Sequence, residues 1–486
     1  SPNILFGGNI AEIAVVIGVI GVWRYSWWFT HAARAEIYAR LVYPRTARRA
    51  RQAWSEGWRP SRVHFLMTTY DEHPPITRRV LDGICGEIER HGLDAKIWVG
   101  SSLDRDEHIV RAHLTSVWPH IDAECVFVRQ RRPGKRAAIG LCVRAMNRNG
   151  LHDDDLVVMM DGDSVITRDA LARALPVFAV RPEIQAVTTD ESVECTGPAW
   201  MRRLLEMRFA QRRLTMQSHA LSRRLLVLTG RMSVIRGRHL REPGFARVVE
   251  DDHLDHWLWG RFRFLSGDDK STWFYLIQKD APMLYVPDAH VVTVERILGN
   301  PWRRLIENYK RWSGNMLRSG WRAIRLGPRR MPPFIWWCLV DQRLSIWTMM
   351  IAPAMALSGA ILHDQRLIFD YLVWIAATRM VFSIVLWRHA GGVDLTYPPL
   401  LYLNQITTAL VKAWGMFHIA QQRWFNRGNQ SARGQTMRFQ NFMAKVLVVS
   451  IPLGITLAVS TVAGFIEPPD RQTIMSLTRE IRTIFS

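Results

Sequence analysis

The sequence predicts an α/β domain with a parallel sheet, inserted between membrane-spanning helices. Short apolar runs alternate with helical stretches from Ser61 to about residue 300, and apolar spans of bilayer length lie near both ends of the chain. Between them one continuous apolar run, 156–164 (LVVMMDGDS), ends in two carboxylates one residue apart. Strands separated by helices imply βαβ units and a parallel sheet. A continuous apolar run of that length suits a strand covered on both faces.

The composition fits such a division. Of 486 residues, 48% are hydrophobic yet 22% are charged, with 21 Trp, so apolar spans and charged stretches occupy different segments. The length leaves room for about two or three domains. Lys and Arg number 64 against 43 acids, a formal net charge of +21. Nucleic acid, an anionic membrane surface or anionic substrates would each suit that excess. No helix-turn-helix, RNA-binding or zinc-finger signature accompanies it, so nucleic acid is not expected as a partner and the inner face of a lipid bilayer is. Five scattered Cys without a CxxC pair indicate neither a zinc site nor a disulfide framework, and a reducing compartment follows.

In chain order, residues 1–30 hold a transmembrane helix, apolar over 9–29 with Trp and Tyr at one end. No basic n-region precedes it and no small-residue cleavage site follows, which argues against a cleaved signal peptide. The chain opens at Ser1 without Met, so upstream residues could be missing. Residues 31–60 are Arg-rich with little apolar periodicity and read as a membrane-proximal connector. The α/β domain covers 61–300, with strands in VHFLMTTY, AKIWVGS, CVFVRQ and LVVMMD and helices around 76–91, 106–117 and after Lys135. Residues 301–342 are basic and Trp-rich, as amphipathic helices in a membrane interface are. Channel helices occupy 343–466, with spans at about 343–363, 366–388 and 442–465. Asp370 and Arg379 interrupt the second span, either as pore residues or as packing partners of neighbouring helices. Segment 397–421 is long enough to cross, but crossing would put Arg423, Arg427, Arg433 and Arg438 outside; an interfacial or re-entrant helix is expected instead. The tail, 467–486, reads as a short amphipathic helix or a frayed end.

Chemistry concentrates at a few places. In an open α/β sheet ligands bind at the C-terminal strand edge, where Asp161 and Asp163 lie. Two carboxylates across a Gly can hold a hard divalent cation that keeps positions open for a diphosphate; taken alone, the same four residues are equally a solvated acidic turn. Tyr70 and Asp71 end the first strand, as ligand residues or as a turn before Pro74-Pro75. Lys135 could donate to phosphates or be one more exposed cation of RQRRPGKR. Further acids cluster at Glu250-Asp251-Asp252 and at Asp268-Asp269. His253 and His256 lack partners at metal-ligand spacing and read as ordinary surface or core residues.

Thr69-Tyr70-Asp71-Glu72, Gly134-Lys135, Asp161-Gly162-Asp163, Gly267-Asp268-Asp269-Lys270 and Lys310-Arg311-Trp312 occur in this order. The ordered set resembles the processive family 2 glycosyltransferases, the membrane-embedded synthases of cellulose, hyaluronan, chitin and alginate. GVWRYS, LTGRMSV, GDDKSTWF, YVPDA and LYLNQITTALVK are most similar to the catalytic glycosyltransferase subunits of alginate (polymannuronate) synthases, and the similarity runs from about residue 15 to 465. The resemblance implies a GT-A-type (Rossmann-like) domain on the cytoplasmic side of a multi-pass protein of the bacterial inner membrane. It implies inverting, processive transfer from a nucleotide-sugar donor to a growing polysaccharide, which the same chain translocates.

The implied roles follow residue by residue. Asp163 would ligate Mg²⁺ or Mn²⁺, with Asp161 towards the metal or the nucleotide. Tyr70 and Asp71 would hold the base, and Lys135 and Arg311 the phosphates. Asp269, the last acid of a GDD motif upstream of Arg311-Trp312, would be the catalytic base, oriented by Asp268; Glu250-Asp251-Asp252 would then be a solvated or capping acidic turn. Trp312 would stack on the acceptor sugar, with Gly230 and Ser233 in the acceptor-side loop. Single displacement needs no Ser or Cys nucleophile. Two departures stand out: Ser101-Ser102 replaces the acid with which many relatives grip uracil, and Asn308 replaces the Gln of QxxRW. The first suits a GDP donor, and GDP-mannuronate is expected, with a UDP-sugar synthase of the cellulose, β-glucan or hyaluronan type as the alternative. No cyclic-di-GMP-binding module is recognisable, so a partner subunit would supply that receptor. MMDGDSV also matches the nucleophile strand of haloacid-dehalogenase-like phosphatases, but a long α/β stretch precedes it here. A non-catalytic membrane scaffold is disfavoured by the ordered acids and cations.

Overall fold

The structure, a computed structural model, describes residues 8–131, 134–297, 299–362, 364–424, 430–432 and 438–462. In chain order the strands are β1 (Val63–Thr68), β2 (Ala95–Ser101), β3 (Ala123–Arg129), β4 (Leu156–Asp161), β5 (Ser164–Ile166), β6 (Ala186–Thr196), β7 (Met232–Arg236), β8 (His253–His256), β9 (Gly260–Arg263), β10 (Met283–Arg296), β11 (Gln422–Trp424) and β12 (Gln430–Ala432). Eight of them form one sheet in the order β3-β2-β1-β4-β7-β6-β10-β5, while β8-β9 and β11-β12 are separate two-stranded ribbons. The sheet is mixed. β1 pairs parallel with β2 and β4, and β6 parallel with β10, but β7 runs antiparallel between β4 and β6, and β5 antiparallel on β10. The alternation of strand and helix that predicts parallel pairing stops after β4, and both reversed strands lie beyond that point.

The first four strands carry the predicted crossovers, with helices Pro74–His91, Asp104–Val117 and Lys135–Arg148 between them. The first starts on Pro74-Pro75, where a missing N–H costs nothing, and stops at Gly92, whose φ of 57° suits a residue without Cβ. All six residues of β1 are buried. With both faces of this half-sheet covered, the strand edges at Thr68 and Asp161 are held in register, Cα beside Cα.

The Arg-rich stretch after the N-terminal span is helical and packed. One helix runs Gly8–Ile37, passes through a wider turn at Tyr38–Val42 and continues as Tyr43–Ser55. Tyr38, Tyr43, Ala47 and Ala50 enter the main core, and the Tyr38 hydroxyl donates to the Tyr285 carbonyl at 2.6 Å. Tyr43, Thr46, Ala47 and Ala50 recur at i, i+3, i+4 and i+7 between the Arg residues, so the helix is amphipathic and the expectation of little periodicity here is corrected.

Among the described residues three helices are long and apolar enough to cross a bilayer: Pro333–Leu362, Arg366–His389 and Arg438–Thr461, with mean hydropathies of 1.6, 1.6 and 2.1. Asp370 is exposed, whereas Arg379 is buried, with its guanidinium over the Phe382 ring. Arg379 is thus a packing residue. Tyr397–Phe417 packs against Ala199–Ala220, Pro301–Arg325 and all three of those apolar helices. Residues 467–486, Arg427 and Arg433 lie outside the described residues.

Candidate active site

Asp161 ends β4 beside Thr68 of β1, and the chain turns sharply at Gly162. A Cβ on Gly162 would stand 2.5 Å from the Thr68 carbonyl oxygen, so only glycine lets the two edges close. On the other side the Asp163 carbonyl accepts from Val294 N at 3.1 Å, which pins the turn. Gly162→Ala is therefore expected to displace both carboxylates and lower turnover by at least about tenfold, by the sensitivity of catalysis to misplacement. Steady-state rates on a variant with parental thermal stability would check this; an unchanged rate would show that the close approach does not matter.

Lys135 opens helix Lys135–Arg148 and points back across the edge. Its Nζ lies 2.5 Å from Asp161 Oδ1 and 2.7 Å from Asp268 Oδ2, and its side chain is 8% exposed. Asp268 and Asp269 form the first turn of helix Asp268–Gln278, where the helix dipole favours carboxylates. Gly267 precedes them at φ 87°, with the Asn315 side chain 2.8 Å from where a Cβ would stand. Three motifs far apart in sequence thus converge through one ammonium.

The two neighbouring acids are driven in opposite directions. Burial, then the charge of Asp268, raises the Asp269 carboxyl above the usual carboxylate range. Burial also works against ionised Asp268, but Lys135 and then Arg136 outweigh it and hold that group below its ordinary value. Asp268 is thus the ionised partner of Lys135, and Asp269 is the more basic carboxylate of the two. Lys135, Thr229, Gly230, Ser233, Asp268 and Asp269 line one cleft. The Ser233 hydroxyl itself is turned inward, donating to the Thr229 carbonyl at 2.8 Å beside Thr188, so it braces the loop that carries Gly230.

Beyond β1, Asp71 takes a left-handed conformation (φ 49°), and its N–H donates to Asp106 Oδ2 at 2.8 Å. Tyr70 beside it is half-buried. The acids that Ser101-Ser102 lacks occur in the next turn of chain, where Ser101 donates to Glu107 and Arg129 grips Glu107 through two bonds of 2.9 and 2.7 Å. Arg311 and Trp312 lie on helix Pro301–Arg325. Arg311 is one helical turn before Asn315, which contacts Gly267, and its guanidinium stands 5.2 Å from the Trp424 ring centre. Asn308 is buried with Nδ2 3.4 Å from Glu295 Oε1.

The family described as "Glycosyltransferase like family 2" matches residues 60–315, the stretch that carries every one of these side chains except Trp424. The chain belongs to glycosyltransferase family 2. It is 34% identical to Glycosyltransferase alg8 of Pseudomonas syringae pv. tomato (strain ATCC BAA-871 / DC3000) over 433 residues, 89% of this chain and 88% of the relative. To Glycosyltransferase alg8 of Azotobacter vinelandii it is 33% identical over 460 residues, 92% of each chain. Among solved structures, mannosyltransferase PcManGT from Pyrobaculum calidifontis, in complex with GDP-Man and Mn2+, is 16% identical with a TM-score of 0.49, covering 83% of this chain and 98% of that one. Family membership sets aside the phosphatase reading of MMDGDSV.

Two acids of this glycosyltransferase escape sequence reasoning. Glu191, 2% exposed, accepts from Thr229 Oγ1 at 2.9 Å and pairs with Arg231 at 3.1 Å and with Arg212. It fixes the Gly230 loop from β6, and Arg231 in turn feels the charges of Asp163 and Asp161. Charged residues inside a strand, TTDESVE, are the only sequence signal. Asp252 is expected as part of a solvated or capping turn, but it is 6% exposed. Arg322 holds it through bonds of 2.5 and 2.9 Å, Ser271 donates to it at 2.5 Å, and Arg136 lies 3.9 Å away. The clustering of Asp252 with half-buried Glu250 and exposed Asp251 hides the difference.

Proposed function

We propose that this glycosyltransferase polymerises mannuronate from GDP-mannuronate by inverting, processive transfer and passes the product through its own apolar helices. The observation that carries the reading is the Lys135 bridge, which joins the Asp161 carboxylate to the Asp268-Asp269 pair in one cleft. Asp269 takes the proton of the acceptor hydroxyl as that oxygen bonds to the sugar's anomeric carbon, and the nucleoside diphosphate leaves. Asp268 keeps Lys135 charged and aimed at the cleft, where Lys135 and Arg311 receive the phosphates. Tyr70 and Asp71 hold the nucleotide base. Trp312 offers a flat face to the acceptor sugar, and Gly230, with no side chain between Asp161 and Lys135, leaves room for it.

The residues present suit a divalent cation: Asp161 and Asp163 are hard oxygen donors on either side of Gly162, and Lys135 covers one oxygen of Asp161. Mg²⁺ or Mn²⁺ there would neutralise the leaving diphosphate. The sheet domain faces the cytoplasm of a bacterial cell beneath the inner membrane, with the basic helices of 301–342 against the lipid and the channel in 343–466. A partner subunit brings the cyclic-di-GMP receptor.

The test offers labelled GDP-mannuronate, UDP-glucose and UDP-N-acetylglucosamine separately to purified protein in lipid, with and without chelator. Polymer is expected from GDP-mannuronate alone, lost on chelation and restored by Mg²⁺ or Mn²⁺. Incorporation from a UDP-sugar in its place would overturn the donor assignment, and transfer that survives chelation would overturn the role given to Asp161 and Asp163.

A further inference from the structure

We infer that Arg208 and Lys412 bind carboxylates of the acceptor chain beside Trp312, and so select a polyuronate over a neutral polysaccharide; this rests on the mannuronate reading above. Arg208 lies on helix Ala199–Ala220 with its guanidinium carbon 4.8 Å from the Trp312 ring centre and 4.3 Å from that of Tyr309. Neutral groups hold it there. Its Nη1 is 3.4 Å from Asn404 Oδ1, which also accepts from the Tyr309 hydroxyl at 2.6 Å, while Asn404 Nδ2 reaches Gln211 at 3.3 Å. On the same helix Arg203 pairs with Asp394, Arg212 with Glu191 and Arg213 with Asp190. Arg208 is half-buried and makes no ion pair among the described residues.

Lys412 repeats the situation. It lies two helical turns beyond Asn404 on Tyr397–Phe417, so on the same face, and is half-buried without an ion pair among the described residues. Arg208 is close enough for its charge to act on Lys412. The pair therefore repel each other: Arg208 carries the cost of a partly desolvated charge without a carboxylate partner among the described residues, and Lys412 feels only the charge of Asp341, a carboxylate already engaged by Arg24.

Position and chemistry agree on what relieves that cost. Phe209, the next residue on that helix, packs under Arg231 of the Gly230 loop, so one helix contacts both that loop and, through Arg208, Trp312. A sugar stacked on Trp312 brings its C5 substituent to the ring's edge. If that substituent is a carboxylate, the guanidinium fork binds it through two charge-assisted hydrogen bonds, and the next uronate along meets Lys412. A neutral glycan leaves both cations unpaired, which discriminates against it.

The experiment measures KM for an oligomannuronate acceptor and for the same oligomer with its carboxyls reduced, using GDP-mannuronate as donor. The parent enzyme is expected to bind the reduced acceptor about tenfold more weakly, the size of one lost charge-assisted hydrogen bond. In Arg208→Gln, KM for the oligomannuronate should rise most of the way to the reduced acceptor's value, KM for the reduced acceptor should stay put, and Arg208→Lys should fall between. Lys412→Gln, read the same way, should shrink the discrimination in part. Equal weakening of both acceptors would reveal a packing role for Arg208 and overturn the inference, as would undiminished discrimination in both Gln variants. A parent enzyme that elongates from GDP-mannuronate yet treats both acceptors alike overturns this inference alone; one that ignores GDP-mannuronate overturns the donor assignment and this inference with it.

Discussion

Asp269→Asn is expected to reduce glycosyl transfer by about 10²–10⁴-fold, the range that a positioned general base contributes. The substitution keeps the shape of the site: an Asn Oδ1 can still accept from Lys270 N, the 2.8 Å bond that Asp269 makes at the head of its helix. Folding should therefore be preserved and the loss should fall on kcat, measured in detergent or lipid with saturating donor. A variant that made polymer at the parental rate would remove Asp269 from the mechanism. The pH profile gives an independent check. Burial and the Asp268 charge both raise the Asp269 pKa, so its basic form is lost, as pH falls, earlier than for an ordinary carboxylate. The acid limb of kcat should accordingly lie above the usual carboxylate range. Asp268→Asn removes the like charge, so the limb should move to lower pH in that variant, even as weaker anchoring of Lys135 lowers the plateau. A limb that moved upward, or stayed in place, would belong to another group.

Asp269 is singled out through the resemblance and its setting leaves no trace in the sequence, and the difference is a matter of range. β1, β2, β4 and the helices between them are written in local patterns: VHFLMT is apolar throughout, and Pro74 and Gly92 punctuate the first helix at both ends. DGDS and GDDK stand out only as members of an ordered set, since each alone is equally an acidic turn. Partners that act across long separations leave no such trace. Nothing in RQRRPGKR distinguishes the one cation that reaches both Asp161 and Asp268 from its neighbours. The reversal of β7 between β4 and β6 depends on a return path after helix Ala199–Ala220, and strand periodicity is blind to direction. The helix Tyr43–Ser55 carries its buried face at helical spacing, but Ala and Thr make up much of it, so a search for large apolar residues passes over it. Glu191 and Asp252 are the sharpest cases, because an acid's partners decide whether it is a solvated charge or a buried anchor, and those partners are distant in sequence.

Asp252→Ala is expected to destabilise the protein by about 3–5 kcal/mol, the cost of leaving buried cations without their carboxylate. Asp252 faces Arg322 and Arg136, and Arg318 stands close by, held by the Ile419 carbonyl at 3.0 Å. Burial first, and then repulsion from Arg136 and Arg322, pushes Arg318 down to about 9. One carboxylate keeps these cations together. The same residue takes a hydrogen bond from Ser271 on helix Asp268–Gln278, while Arg322 belongs to Pro301–Arg325, so Asp252 ties the helix of Asp269 to the helix of Arg311 and Trp312. Thermal unfolding followed together with the fraction of monodisperse protein in detergent would read the loss. Cavity formation and charge imbalance predict different rescues. If the cost comes from uncompensated charge, adding Arg322→Met to Asp252→Ala should recover a large part of it, because Arg322 already lies over the Phe264 and Phe274 rings at 4.9 and 4.2 Å and an apolar chain fits there. If the two losses simply add, Asp252 serves as packing volume, and the coupling between the helix of Asp269 and the helix of Arg311 must run through the Asn315 contact with Ser266 and Gly267 instead.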